Sequence, residues 1–178
     1  MDSFDQQFID MMVPHHESGI EMAKVALTGT SRPELKSMAE SIVKAQQTEV
    51  AQLKTWRKAW FGSDQTPPLE RMPMLPGMSH GKKSMEDKDM KGMGTGKDMK
   101  TMDMRKDIEK LRSAAGALDR EFIDMMRQHH RSAIEAGRLA QTQGQKSEIR
   151  ELGGKIVSDQ QREIDQLTEW RRAWFGSA

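Results

Sequence analysis

The 178-residue chain contains no cysteine. Without thiols there is no disulfide framework, no zinc finger, no iron–sulfur cluster and no thiolate copper site. Nowhere do 18 apolar residues follow one another, so no membrane insertion is expected. The start, Met1-Asp-Ser-Phe-Asp5, lacks the basic head and apolar run of a secretory signal, and an exported protein would have lost that segment. Charge of one sign is lacking too: 28 Lys and Arg face 27 Asp and Glu, for a formal +1. That balance argues against general nucleic-acid binding. Apolar residues are scarce at 35%, so part of the chain is expected to stay outside a core. What is plentiful is methionine: 16 residues, against five His and no Tyr.

The chain contains itself twice. Asp5-Gln-Gln-Phe8-Ile-Asp10-Met-Met12 returns as Asp119-Arg-Glu-Phe122-Ile-Asp124-Met-Met126, His15-His16 as His129-His130, and Trp56 to Ser63 as Trp170 to Ser177. The offset is 114 throughout, and residues 5–63 laid on 119–177 share 28 identities in 59 positions. Chance would give about one in fifteen. The copies occupy residues 1–63 and 105–178.

Each copy reads as a helical hairpin. Phe8, Met12, His15/His16, Gly19, Ala23 and Ala26 recur at helical spacing. Thr30 or Ser31 is expected to cap the second helix, with Pro33 in its first turn and Gly62 at its end. That helix carries Leu35, Met38, Ala39, Ile42, Gln46, Glu49, Leu53, Trp56 and Trp60 on one face. In the second copy Ile108, Leu111, Ala115 and Leu118 predict a first helix that begins early. Two such hairpins make one all-α four-helix bundle with a pseudo-twofold axis. The Trp56/Trp60 and Trp170/Trp174 pairs are expected to close its ends.

Between the copies, residues 64–104 hold four prolines, five glycines and seven charges of each sign, which predicts an irregular, solvated linker. Nine methionines lie there: Met72, Met74, Met78, Met85, Met90, Met93, Met99, Met102 and Met104. A solvated linker has no packing use for them. Thioethers are soft, neutral ligands that select Cu(I) and, by the same logic, Ag(I). They need no deprotonation and do not oxidise to disulfides, so a Cys-free, Met-rich segment suits an extracytoplasmic site. The pairs Met72/Met74, Met90/Met93, Met99/Met102 and Met102/Met104, with His80 beside Met78, are the candidate ligands here. Oxidation targets or a sticky partner surface are the alternatives.

A second constellation sits inside the predicted bundle. His15 and His16 straddle the apolar stripe, Met12 lies one turn before both, and Gln46 and Glu49 come level on the facing helix. Met126, His129, His130, Gln160 and Glu163 repeat the set. Such a layer is costly if unpaired. It either hydrogen-bonds to itself and fixes register, or ligates metal. The small residues Gly19, Ala23, Ala133 and Gly137 leave room for an ion or for close helix approach. Pro14 precedes the first His pair and Gln128 the second, so the two sites need not be equal.

Phe8-Ile-Asp-Met-Met12 with Pro14-His-His16, then Ile20-Glu-Met22-Ala, Ile42-Val, Gln46-Gln-x-Glu49 and Trp56 resemble the domain-of-unknown-function family 305. The resemblance covers both copies and leaves out the linker. It implies a ferritin-like helical-bundle fold and bacterial origin, and the family includes a periplasmic copper-binding protein. Carried over residue by residue, it maps onto His15, His16, Met11, Met12, Met22, Gln46 and Glu49, and onto His129, His130, Met125, Met126, Gln160 and Glu163. Ala136 replaces the methionine matching Met22.

The expected function is an extracytoplasmic, periplasmic protein that sequesters or carries Cu(I), with Ag(I) or Cu(II) as further cargo and a copper efflux component as a conceivable partner. The alternative is a structural or adaptor bundle with hydrogen-bonded layers. No enzyme is expected: di-metal oxidases use four carboxylates and Glu-x-x-His pairs, and this chain has no Glu-x-x-His.

Overall fold

The computed structural model describes residues 2–78 and 101–176. The first hairpin is α1 (Phe4–Gly29) and α2 (Pro33–Phe61); the second is α4 (Leu118–Gln143) and α5 (Ser147–Phe175). Ser3 starts α1, its Oγ accepting from the Gln6 N–H at 3.2 Å. Gly62 (φ 82°) and Gly176 (φ 75°) end α2 and α5 in the left-handed conformation, and their N–H groups donate to the Lys58 and Arg172 carbonyls. The expected Thr30 or Ser31 cap does not form. Arg32 is the N-cap of α2 and makes no side-chain cap bond, because the Thr30 hydroxyl already accepts from the Arg32 N–H inside the turn.

Nor does the first helix of the second copy begin early in one piece. A separate α3 (Arg105–Arg112) buries Ile108 and Leu111, ends at Ser113, and gives way to a 3₁₀ turn over Ala115–Ala117 before α4. Ser-Ala-Ala-Gly-Ala at 113–117 offers little apolar surface to hold a helix against the core, and Ala115 takes φ 38°. The Ser113 hydroxyl donates to the Lys110 carbonyl and stops α3 locally.

The linker's flanks also depart from expectation. Met72, Leu75, Met78 and Met104 are buried in one cluster with Phe8, Ile9, Met11 and Met12. Met72–Pro73 (β1) pairs antiparallel with Thr101–Met102 (β2), Met72 facing Met102. The cause lies in α1, where Met11 through His16 are buried without interruption. A helix buried all round needs cover beyond its hairpin partner, and β1 with the 3₁₀ turn Leu69–Arg71 packs against α1 to supply it. The expectation of solvated thioethers therefore fails for Met72, Met78 and Met104, whereas Met102, 44% exposed, fits it.

Helix α1 packs on α2, α4 on α5, and α1 on α4 across the pseudo-twofold. One core cluster joins α1 to Ile149, Leu152 and Ile156 of α5; the other joins Leu35, Ala39 and Ile42 of α2 to Phe122, Ile123 and Met126 of α4. At Gly137 a Cβ would meet the Gly153 carbonyl oxygen at 2.7 Å, so the small residues let α4 and α5 approach closely.

The bundle ends are closed reciprocally. The buried Asp5 carboxylate accepts from the Gln145 and Lys146 N–H groups at 2.8 and 2.9 Å, tying α1 to the start of α5. In the other half, Asp119 pairs with Arg32 at 3.2 Å. Lys146 sits over Trp60 (5.1 Å) and Arg32 over Trp174 (4.2 Å), while Trp56/Trp60 and Trp170/Trp174 stack at 5.4 and 5.2 Å. Each hairpin's turn thus covers the other hairpin's tryptophans.

Candidate metal centre

Four histidines occupy the middle of the bundle, all buried. Helical spacing places His15 and His16 on adjoining flanks of α1, and they do different things. His16 Nε2 lies 2.7 Å from Glu49 Oε2 on α2. Its counterpart His130 makes the same contact with Glu163 on α5. His15 instead faces the second hairpin: its ring stacks on His129 at 3.7 Å, and its Nε2 makes a 2.8 Å hydrogen bond with Ser132 Oγ. Reciprocally, His129 Nε2 lies 2.9 Å from Ser18 Oγ and 2.9 Å from the His15 carbonyl oxygen. The two polar layers are therefore one centre, joined through His15 and His129. Sequence reasoning does not single out Ser18 and Ser132, although their identity in both copies marks them.

Protonation follows from the partners. A carbonyl oxygen only accepts, so His129 Nε2 carries the proton and donates to the His15 carbonyl. Burial, with His130 and His16 adding to it, pushes His129 down to about 3, so it is neutral at pH 7. His15 is likewise held well below the usual imidazole range by burial and then by His129. For Glu49, burial works to raise the carboxyl, but hydrogen bonds and charge from His16 and Lys155 outweigh it and the net direction is down. The Glu49 carboxylate is thus an acceptor, and His16 Nε2 is the donor. In a neutral imidazole the lone pair then falls on Nδ1.

The far side of each ring has no partner. Among the described residues, Nδ1 of His15, His16, His129 and His130, and Oε1 of Gln46 and Gln160, are buried without a hydrogen-bond partner. Gln46 Oε1 and His129 Cε1 both crowd Gly19, where a Cβ would come within 2.5 and 2.8 Å of them. The two amide oxygens can offer an electron pair, and so can His129 Nδ1, whose ring proton is on Nε2, and any other of these rings that is neutral with its proton on Nε2. The layer is therefore short of an electron-pair acceptor, which is what a cation is. A carboxylate holding the far nitrogen of a ligating imidazole is also the usual arrangement behind a metal-bound histidine. The remaining orphan, Arg127 Nε, stands where the first copy has Val13.

Among the described residues no three His, Asp or Glu side chains converge on one point. A metal here must draw on thioether or amide donors as well. Met11 and Met12 are fully buried in one core cluster, Met22 and Met126 in the other, and Met125 packs beside the latter. Met72, Met78 and Met104, with half-buried Met74, join the cluster that holds Met11 and Met12. His80, Met85, Met90, Met93 and Met99 lie outside the described residues.

Comparison with known proteins agrees with this fold. The chain is similar to CopM, solved in a Cu(I)-bound form (30% identity, TM-score 0.70, 99% of this chain and 100% of CopM covered). CopM was also solved with Cu(II) bound (33% identity, TM-score 0.70, 98% and 100% covered) and with Ag bound. A DUF305 protein of Streptomyces coelicolor shares the fold at 19% identity and TM-score 0.72, over 97% of this chain and 92% of that one. Uncharacterized protein L153 of Acanthamoeba polyphaga mimivirus is 35% identical over 49 residues, and the chain spans only about a third (32%) of its length. The model of one family matches residues 5–174, nearly the whole chain, and the chain belongs to that family, the domain of unknown function DUF305.

Proposed function

We propose that this protein binds soft metal ions as cargo, Cu(I) foremost and Ag(I) by the same chemistry, outside the cytoplasm and without catalysing a reaction. The observation that carries the reading is the set of buried ring nitrogens on four imidazoles and amide oxygens on two glutamines that have no partner among the described residues, with buried methionines one turn away. Neutral imidazole and thioether are soft to borderline donors, and neither adds charge to the core. The likeness to CopM, solved with Cu(I), Cu(II) and Ag bound, supports the same cargo class. Exposed Met102, with Met85, Met90, Met93 and Met99 of the linker, captures ions by exchange, and the bundle holds them in more fixed positions. Cu(II) is a weaker second cargo because only the imidazoles and carboxylates suit it. Sequestration, and handover to a copper efflux component, are the roles this chemistry fits.

A second reading has its own observation: the His16–Glu49 and His130–Glu163 pairs bond each other directly, as a purely structural layer would. X-ray absorption at the copper edge of the anaerobically loaded full chain separates the two. Mixed sulfur and nitrogen scatterers on Cu(I) are expected. A chain that takes up no copper, or copper seen only by oxygen from solvent, would leave the structural reading.

A further inference from the structure

We infer that Lys155, contributed by the second hairpin, is a positioning residue for the His16–Glu49 pair of the first, and that it makes the two His–Glu pairs unequal. Lys155 Nζ donates to Glu49 Oε1 at 2.8 Å and to Asp159 Oδ2 at 2.8 Å, while Glu49 Oε2 receives His16. Both oxygens of Glu49 are thus engaged from different helices, and the carboxylate cannot rotate without losing one partner. A carboxylate held at both oxygens holds the imidazole it faces, and with it the direction of the Nδ1 lone pair.

The second copy lacks this support. The position matching Lys155 in the first copy is Ser41, which is too short and uncharged to do the same for Glu163. Among the described residues the hydrogen-bond partner of Glu163 is His130 alone. Its side chain is 24% exposed, against 8% for Glu49. The Lys155 side chain is 54% exposed, so its role is not to fill space. Asp159 holds the ammonium from the solvent side and is itself paired with Arg162. The chain His16, Glu49, Lys155, Asp159 therefore runs from the buried centre to the surface across two hairpins.

The inference rests on the reading that His16 Nδ1 is a ligand, but its first test needs no metal. Nitrogen-resolved imidazole spectra of the metal-free full chain would be compared for wild type, Lys155→Met, which keeps the stem and removes the ammonium, and Lys155→Arg, which restores a donor. We expect Lys155→Met to shift or broaden the His16 ring signals, to leave His130 unchanged, and Lys155→Arg to recover the wild-type pattern. Unchanged His16 signals, or equal change at His16 and His130, would overturn the inference. The same proteins then compete for Cu(I) against a colorimetric chelator, with Lys155→Met expected to bind about 3- to 10-fold more weakly, less than the loss of a partner bonded directly to a ligand. A His16 change with unaltered Cu(I) affinity would uphold the positioning and discard His16 as a ligand.

Discussion

The imidazoles of His15 and His129, 114 positions apart, lie face to face with centroids 3.7 Å apart and planes inclined by 25°. Burial holds both rings below the usual imidazole range, so at pH 7 they stack as neutral groups. Ser132 holds one, and Ser18 with the His15 carbonyl holds the other. The contact joins the duplicated hairpins through their buried centre.

Stability should therefore fall in mild acid. In the unfolded chain an imidazole titrates near 6.5, whereas burial takes His129 to about 3 and holds His15 well below its usual range. Between those values the unfolded state binds more protons. The stabilisation is present above about pH 6.5 and is lost as pH drops toward the folded values, by up to about 1.4 kcal/mol per pH unit for each imidazole. Glu49, whose carboxyl is lowered, adds in the same direction below the usual carboxylate range. Urea midpoints should fall little between pH 7.5 and 6 and steeply between pH 6 and 4.5; a flat profile would mean the rings are not buried and neutral.

Gly19→Ala should damage the centre, since the new Cβ would sit 2.5 Å from Gln46 Oε1 and 2.8 Å from His129 Cε1. A cost of about 1–3 kcal/mol is expected for this overpacking, together with weaker Cu(I) binding. Ala133→Gly, the matched position in the second copy, introduces no clash and should cost about 1–2 kcal/mol, from helix propensity and one lost buried methyl, with unchanged slope of unfolding. Chemical denaturation of both variants checks the contrast.

Asp5→Ala should destabilise by about 1–2 kcal/mol, because it strips the cap from the Gln145 and Lys146 amides. Cu(I) affinity should be retained, as Asp5 lies at the bundle end. Thermal unfolding and a Cu(I) titration on the same sample decide it.

Met72→Leu and Met104→Leu conserve volume in a packed cluster, so stability should change by less than about 1.5 kcal/mol. Thioether donors disappear all the same, and any fall in Cu(I) stoichiometry measured on these variants counts those sulfurs directly. An unchanged stoichiometry would assign both residues to packing alone.

The hairpins are legible in the sequence because each has an apolar stripe at helical spacing, terminal glycines and an ungapped copy for comparison. So is the level of the His15/His16 pair with Gln46 and Glu49, since equal distances from the turn near Thr30 determine register in an antiparallel pair. Two features needed three dimensions. Burial of Met72, Met78 and Met104 answers the all-round burial of α1 from Met11 to His16, which no local pattern in the linker encodes. The meeting of His15 with His129, and of Lys155 with Glu49, depends on how one hairpin docks on the other. Within a single hairpin nothing distinguishes His15 from His16.

The most direct test of the metal reading is an anaerobic Cu(I) competition against a colorimetric chelator. It compares the full chain with His16→Gln/His130→Gln, and with a form in which Met85, Met90, Met93 and Met99 are replaced by serine. The account predicts that the full chain withdraws Cu(I) from the chelator and that the histidine variant holds it at least about 10-fold more weakly. The serine form should lose stoichiometry while keeping its tightest site. A full chain that withdraws no Cu(I), or a histidine variant that competes as well as wild type, would contradict it.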